Sequence, residues 1–175
     1  EALAAIQLPE NFTHTPGFYI SLARARLTLT AIYFGEENSQ GLDDACIAAM
    51  CENLALEKLS FDPIHNSGGL TPRVVDIILG SKTAQTLTDG LFYSIDAFTS
   101  ANILRLARGC PKLVDLVWYL DGLTPLTDGN GQNVDDLTEL LESRAKQSSE
   151  KNYFEIDVFE EFGPWKAGSY HYSNT

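Results

Sequence analysis

Positive charge is scarce in this sequence. Its 175 residues include 12 lysines and arginines against 24 aspartates and glutamates, which gives a formal net charge of −12. Nucleic-acid binding needs clustered Lys and Arg to neutralise phosphates, and docking on anionic lipid needs the same side chains. We therefore expect no nucleic-acid partner and no membrane partner. A basic protein surface is the expected complement.

Cysteine and histidine are also few, with three of each. The cysteines are Cys46, Cys51 and Cys110. An odd number without a CxxC motif indicates free buried thiols in a reducing compartment, so we expect a cytoplasmic or nuclear protein. The histidines, His14, His65 and His171, have no spacing that suggests a partner for a catalytic cysteine. Packing of a small apolar thiol, where a helix turns into the next strand, explains the cysteines.

Long hydrophobic runs are missing as well. The apolar stretches are too short to span a bilayer. Residues 1–8 begin with an acid and lack the basic start of a signal peptide. Hydrophobic residues nevertheless make up 44% of the chain, enough for one folded core. We therefore expect a single domain over residues 1–175.

A repeated apolar pattern, Leu-x-x-Leu-x-Leu with apolar substitutions, is what the chain does contain. Copies begin at Leu29, Leu56, Ala84, Leu113 and Tyr153, at intervals of 27, 28, 29 and 40 residues. We interpret each copy as a strand. The copy at Ala84, "AQTLTD", is degenerate, and "VVDIIL" or "GLFYSI" is an alternative strand in that unit.

Segments with helical spacing separate these strands. They cover residues 41–54, 70–80, 96–110 and 133–146. In the second segment Thr71 suits a cap, Pro72 suits the first turn and Gly80 suits the end of the helix.

One strand and one helix cannot bury their apolar side alone, so the units must stack on their neighbours. The pattern predicts an α/β fold: a right-handed solenoid of about four to five strand–helix units, with a parallel strand ladder on its concave face. Residues 1–26 would form a helical cap, 27–145 the repeats, and 146–175 the last strand and an aromatic cap.

The stretch "LARGCPKLVDLVWYL", residues 106–120, closely resembles the cysteine-containing class of leucine-rich repeats, which is common in the C-terminal part of F-box proteins. The matching residues are Leu106, Ala107, Cys110, Pro111, Leu113 and Leu116. "MCENLALEKLSF" is a looser match in which Cys51 takes the place of the cysteine. The family's Leu-Thr-Asp before a helix is echoed at residues 126–128 and 87–89.

This resemblance covers roughly residues 27–160 and implies a leucine-rich-repeat solenoid. It also raises two alternative expectations: the chain is a substrate-recognition fragment of a larger protein, or a small stand-alone relative. Two departures limit what it implies. No F-box-like segment is present, so binding to a ligase adaptor is not carried over. Residues such as Ile64 and Asp121 replace the Asn or Cys that usually closes each strand.

Residues 128–139 contain part of a calcium-loop pattern. Asp128, Asn130, Gln132, Asp136 and Glu139 occupy positions one, three, five, nine and twelve. Position six is Asn133 instead of glycine, position eight is polar, and the preceding segment suggests a strand instead of a helix. We favour a connecting loop, with a turn at 129–131 and Asn133 as the helix cap, and expect no metal and no cofactor.

In a solenoid of this kind, side chains between the buried leucines project from the concave face. The candidate partner-binding residues are Tyr33, Glu57, Lys58, Ser60, Thr86, Asp115, Val117, Tyr119, Glu155, Asp157 and Phe159. Aromatic residues anchor interfaces, and carboxylates select basic partners. We therefore expect a non-enzymatic protein–protein interaction module for a basic partner, and leave its oligomeric state open.

The alternative is a small hydrolase or lyase that uses a carboxylate pair on the strand face. The candidate pairs are Asp115 with Asp157, and Glu57 with Asp62. No nucleophile motif and no phosphate-binding loop accompanies them. The aromatic run at 158–175 is expected to cap the last unit, with a ligand groove beneath Trp165 as the alternative.

Overall fold

The computed structural model describes residues 4–9, 12–25, 28–34, 41–61, 69–93, 97–121, 128–147, 153–159 and 169–173. The described strands are β1 (Ala5–Gln7), β2 (Ala31–Phe34), β3 (Lys58–Phe61), β4 (Asp89–Tyr93), β5 (Asp115–Asp121), β6 (Tyr153–Phe159) and β7 (Ser169–Ser173). The described α-helices are α1 (Pro16–Arg24), α2 (Asp44–Asn53), α3 (Arg73–Leu79), α4 (Ser100–Gly109) and α5 (Asp128–Gln147). A 3₁₀ helix covers Lys82–Gln85.

The seven described strands form one sheet in the order in which they follow along the chain. From β1 to β6 each strand is parallel to its neighbours. The last strand, β7, runs antiparallel to β6. A helix lies in the chain between each pair of consecutive parallel strands, as parallel pairing requires a crossover. The α/β class predicted from the sequence is confirmed.

Strand register gives the spacing of the strand–helix units along the chain. Ala5, Ala31, Lys58, Asp89 and Asp115 are aligned across five neighbouring strands, at intervals of 26, 27, 31 and 26 residues. The strands expected near Leu56, Leu113 and Tyr153 are present as β3, β5 and β6.

The prediction of a strand at "AQTLTD" was wrong. Its first two residues, Ala84 and Gln85, end the 3₁₀ helix, and only its last residue, Asp89, belongs to a strand. The 3₁₀ helix begins where the Ser81 hydroxyl accepts a hydrogen bond from the Thr83 amide at 3.2 Å. The strand of this unit is β4, in the alternative segment "GLFYSI". The unit is longer than its neighbours because the 3₁₀ turn is inserted between α3 and β4.

A ladder of aromatic side chains runs through the core. Phe34, Phe61, Phe92 and Trp118 occupy aligned positions on four neighbouring strands and are all buried. The ring centroids of Phe34 and Phe61 are 5.1 Å apart, and those of Phe61 and Phe92 are 5.8 Å apart. Phe98, just before α4, packs against this ladder with its ring 4.9 Å from that of Phe92.

The first three predicted helical segments form helices, α2, α3 and α4. The side chain of Asp43 caps α2 by accepting from the Cys46 amide, and Thr99 caps α4. The N-cap residue of α3 is Pro72. Thr71, the expected cap, lies one residue earlier, and its hydroxyl accepts a hydrogen bond from the Arg73 amide at 3.2 Å. Gly80 ends the helix as expected.

The interpretation of residues 128–139 as a connecting loop was wrong, because α5 already begins at Asp128. Asn133 lies inside the helix and its side-chain amide donates to the Ser100 hydroxyl at 3.3 Å. Leu137 and Leu141 are buried in the core, which fixes the helix in place. A calcium loop must curve around its ion, and a helix does not. Among the described residues, no group of three His, Cys, Asp or Glu side chains has a metal-binding arrangement.

All three cysteines are free thiols buried in the core. Burial raises the pKa of Cys51 to about 12 and that of Cys110 to about 11. Such thiols are protonated near neutral pH and make weak nucleophiles. The packing interpretation of the cysteines agrees with these positions.

The described part of the N-terminal segment contains a strand besides a helix. The strand β1 pairs with β2, and the helix α1 begins at the Thr15 cap. This segment, predicted as a helical cap, therefore has the strand-then-helix order of the units that follow. None of the described helices is both long and apolar enough to cross a membrane.

Candidate interaction groove

The sheet has one face packed against the helices and one open face. On β3, Leu59 and Phe61 are buried with residues of the helices, whereas Lys58 is exposed and Ser60 is half-buried. This alternation is the period-two pattern of a strand.

Two rows of side chains cross the open face. The first, which we call the charged row, contains Lys58, Asp89 and Asp115 at aligned positions. The second, the central row, contains Tyr33, Ser60, Leu91 and Val117 at aligned positions two residues further along each strand. Because each residue advances a strand by about 3.3 Å, the two rows lie about 6.6 Å apart.

An open pocket of about 350 Å³ lies over these two rows. Its lining residues are Tyr33, Lys58, Leu59, Ser60, Asp89, Gly90, Leu91, Asp115 and Val117. We call this pocket the groove. It combines a largely apolar centre with one charged side.

Charges in the groove are organised around Lys58. Its ammonium donates to Asp89 at 2.7 Å, and the other oxygen of that carboxylate lies 2.5 Å from the Thr88 hydroxyl. The hydrogen bond to Asp89 raises the pKa of Lys58, and the nearby charge of Asp115 acts in the same direction. The charged row thus carries one positive and two negative side chains, a net charge of −1.

Five of the residues predicted from the sequence meet in the groove. They are Tyr33, Lys58, Ser60, Asp115 and Val117. Asp89 and Leu91 also line it but were missed, because the strand of their unit was placed too early in the chain. The alternative strand "GLFYSI" includes Leu91, so choosing it would have placed this residue on the sheet.

Two predicted residues lie outside the groove. Thr86 is not on a strand: it follows the 3₁₀ helix, and its hydroxyl donates to the Leu56 carbonyl at 2.6 Å, so its role is to join two units. Glu57 is exposed and directly precedes β3. Its backbone carbonyl accepts from the Thr88 and Asp89 amides at 2.8 and 3.0 Å, beside the charged row.

The remaining predicted side chains, those of Tyr119, Glu155, Asp157 and Phe159, lie outside the described part of the structure. The backbone register aligns Glu155 with Val117, and Asp157 with Tyr119.

Each candidate carboxylate pair includes one residue whose side chain is not described. In the first pair this residue is Asp157. In the second it is Asp62, which lies in residues 62–68, outside the described part of the chain. Trp165 and the groove suggested beneath it also fall outside the described residues.

No protein-family model matches the sequence, and no curated protein is significantly similar to it.

Proposed function

We propose that this chain is a protein-interaction module of the leucine-rich-repeat type, which binds a basic segment of a partner protein on the open face of its sheet. Parallel strands in chain order, with a helix between each consecutive pair, support the repeat architecture. So does the aromatic ladder, in which equivalent positions of successive units carry equivalent side chains.

The observation that carries the functional proposal is the groove. Its central row offers Tyr33, Leu91 and Val117, and its charged row adds two carboxylates beside one lysine. Interfaces obtain most of their binding energy from a few well-packed aromatic and apolar contacts. Carboxylates beside such contacts attract a basic partner and exclude an acidic one.

The overall charge of the chain supports the same partner class. With a net charge of −12, the chain attracts a basic molecule before any contact forms. This long-range attraction is screened by salt, whereas the apolar contacts of the central row are not. Binding should therefore weaken with ionic strength without disappearing.

A display library of protein fragments, selected for binding to the immobilised chain, tests this function. The selected fragments are then measured against a variant that carries Asp89→Lys and Asp115→Lys in the charged row. The matched control carries Glu52→Lys and Glu139→Lys, two exposed positions on α2 and α5. Both variants change the net charge by the same amount, so only the location of the change differs.

We expect basic fragments to be selected, to bind the control variant, and to bind the charged-row variant at least about tenfold more weakly. Circular dichroism and thermal unfolding establish that both variants are folded. Equal binding to the charged-row variant and the native chain would overturn the proposal, and so would a selection that enriches only acidic fragments.

A further inference from the structure

The shape of the groove suggests which feature of a partner it binds, and this inference rests on the proposed function. Each of the two rows has one residue on β4 and one on β5. Asp89 and Leu91 lie two residues apart on β4, and Asp115 and Val117 lie two residues apart on β5. An apolar contact and an acidic contact are thus repeated side by side, with the same separation on each strand.

An extended peptide has the same spacing. Its alternate side chains point to one face and are separated by about 6.6 Å. A peptide that lies along the strands therefore places residues i and i+2 over the two rows. The groove, at about 350 Å³, is near the small end of ligand pockets, which range from about 300 to 1,000 Å³. That volume accommodates a few side chains of an extended segment more readily than a folded element.

The charged row favours arginine as the basic residue. Asp89 and Asp115 are aligned on neighbouring strands, and the ammonium of Lys58 is hydrogen-bonded to the first of them. Like charges at directly opposed positions are unfavourable, so a second cation on this side lowers the electrostatic energy of the row. A guanidinium presents several donors in a fixed plane and can contact two carboxylates at once, whereas an ammonium acts as a point charge.

We propose that the groove binds an extended peptide segment in which an apolar residue and an arginine are separated by one residue. The apolar side chain lies against Leu91 and Val117, and the arginine lies over Asp89 and Asp115. Lys58 competes with the arginine for Asp89, so it limits affinity and disfavours segments with several adjacent basic residues.

Synthetic peptides test this motif. Each peptide keeps one leucine and one arginine within a glycine–serine sequence, and the number of residues between them varies from zero to three. A second series replaces the arginine with lysine. Binding is measured by fluorescence anisotropy at low and physiological salt. We expect the peptide with one intervening residue to bind at least about tenfold more tightly than those with none or two, which present the two side chains to opposite faces.

Two substitutions separate this motif from a general attraction between charges. Lys58→Met keeps much of the aliphatic stem and removes the competing ammonium, so we expect it to bind the best peptide about three- to tenfold more tightly. Val117→Asp adds a negative charge but removes an apolar contact. We expect it to weaken binding, whereas a purely electrostatic site would bind the peptide more tightly.

The outcomes distinguish this inference from the proposed function. Equal binding of all spacings, or a preference for lysine over arginine, would overturn the motif. If, in that case, fragments from the display library still lose binding to the charged-row variant, the interaction function stands without this motif. If the library fragments also bind the charged-row variant as tightly as the native chain, the proposed function fails together with the motif.

Discussion

At the residue scale, Arg144 connects α5 to the segment that joins α4 to β5. It extends from α5 to the end of α4, where its guanidinium donates to the carbonyls of Ala107, Cys110 and Leu113 at 2.7, 3.1 and 3.0 Å. Carbonyls at a helix end have no partner within the helix. Of the three, the Ala107 carbonyl lies in the last turn of α4, whereas Cys110 and Leu113 follow the helix. One side chain therefore holds both the helix end and the turn after it, and joins two neighbouring units.

We predict that Arg144→Lys lowers the free energy of unfolding by about 1–3 kcal/mol, because an ammonium cannot reach the three carbonyls together. Urea unfolding monitored by circular dichroism measures the change. Arg108→Lys is the matched control: Arg108 pairs with Asp136 on the exposed surface, and such pairs contribute at most about 1 kcal/mol. Equal losses in the two variants would contradict the role assigned to Arg144.

His14 is the second residue with a defined energetic consequence. It is buried, its Nδ1 lies 2.6 Å from the Tyr19 hydroxyl, and its ring contacts that of Phe34. Burial lowers the pKa of His14 below its ordinary value of 6.5. The unfolded chain therefore binds a proton at this residue more readily than the folded chain does.

We predict that this histidine makes stability depend on pH in a definite direction. Its contribution is complete above about pH 6.5 and is lost as the pH falls further, with a slope of at most about 1.4 kcal/mol per pH unit. The measurement is the free energy of unfolding between pH 7.5 and pH 5.5, for the native chain and for His14→Asn. The difference between the two should shrink as the pH falls.

Tyr19→Phe is the control for this prediction. It removes the hydrogen bond but keeps an imidazole that titrates, so the variant should be less stable at every pH while retaining the dependence. A native chain whose stability is flat across this range, or rises towards pH 5.5, would contradict the assignment to His14.

At the element scale, β4 shows how a glycine and an aromatic residue act together. Gly90 lies on the buried side of the strand, and a Cβ at this position would be 2.4 Å from the ring of Phe92. That ring cannot move away, because it is packed against Phe61 and Phe98. The glycine thus makes room for the aromatic ladder to continue across β4.

We predict that Gly90→Ala destabilises the fold by about 1–3 kcal/mol through overpacking. Gly17→Ala is the control: it is a glycine in α1 whose added Cβ meets no atom within 4 Å. There the helix preference of alanine should leave stability unchanged or raise it by up to about 1 kcal/mol. Thermal unfolding of both variants is the measurement. A Gly90→Ala protein as stable as the native chain would contradict the packing argument.

Most strands and helices were predictable because their signals are local. The buried side chains of β3, such as Leu59 and Phe61, alternate with polar ones, and the cap residue Asp43 marks the start of α2. The errors have physical causes. The insertion of a 3₁₀ turn displaced β4, and tertiary burial of Leu137 and Leu141 outweighs the glycines at the start of α5.

The groove was only partly predictable from the sequence. Tyr33, Ser60 and Val117 follow from strand alternation once their strands are known. The pair of Lys58 with Asp89 depends on the alignment of two strands separated by a unit of irregular length. The alignment of these two strands cannot be predicted from a periodic sequence pattern, because packing between the units sets it.

At the scale of the whole molecule, the fold separates two tasks. Helices on one side join successive units through contacts such as Arg105 with Asp76 and Arg108 with Asp136. The other side of the sheet leaves the groove open. The proposed function follows this division: we propose that a partner binds on the strand side, while the helix side serves stability.

Site-specific photo-crosslinking locates the face on which a partner binds. A benzophenone amino acid is placed at Tyr33 or Ser60 on the open face, or at Arg73 or Glu139 on exposed positions of the helices. Each protein is irradiated with a fragment selected from the display library. We predict crosslinks from both open-face positions and none from the helix positions. Crosslinks from the helices, with none from Tyr33 or Ser60, would contradict the account.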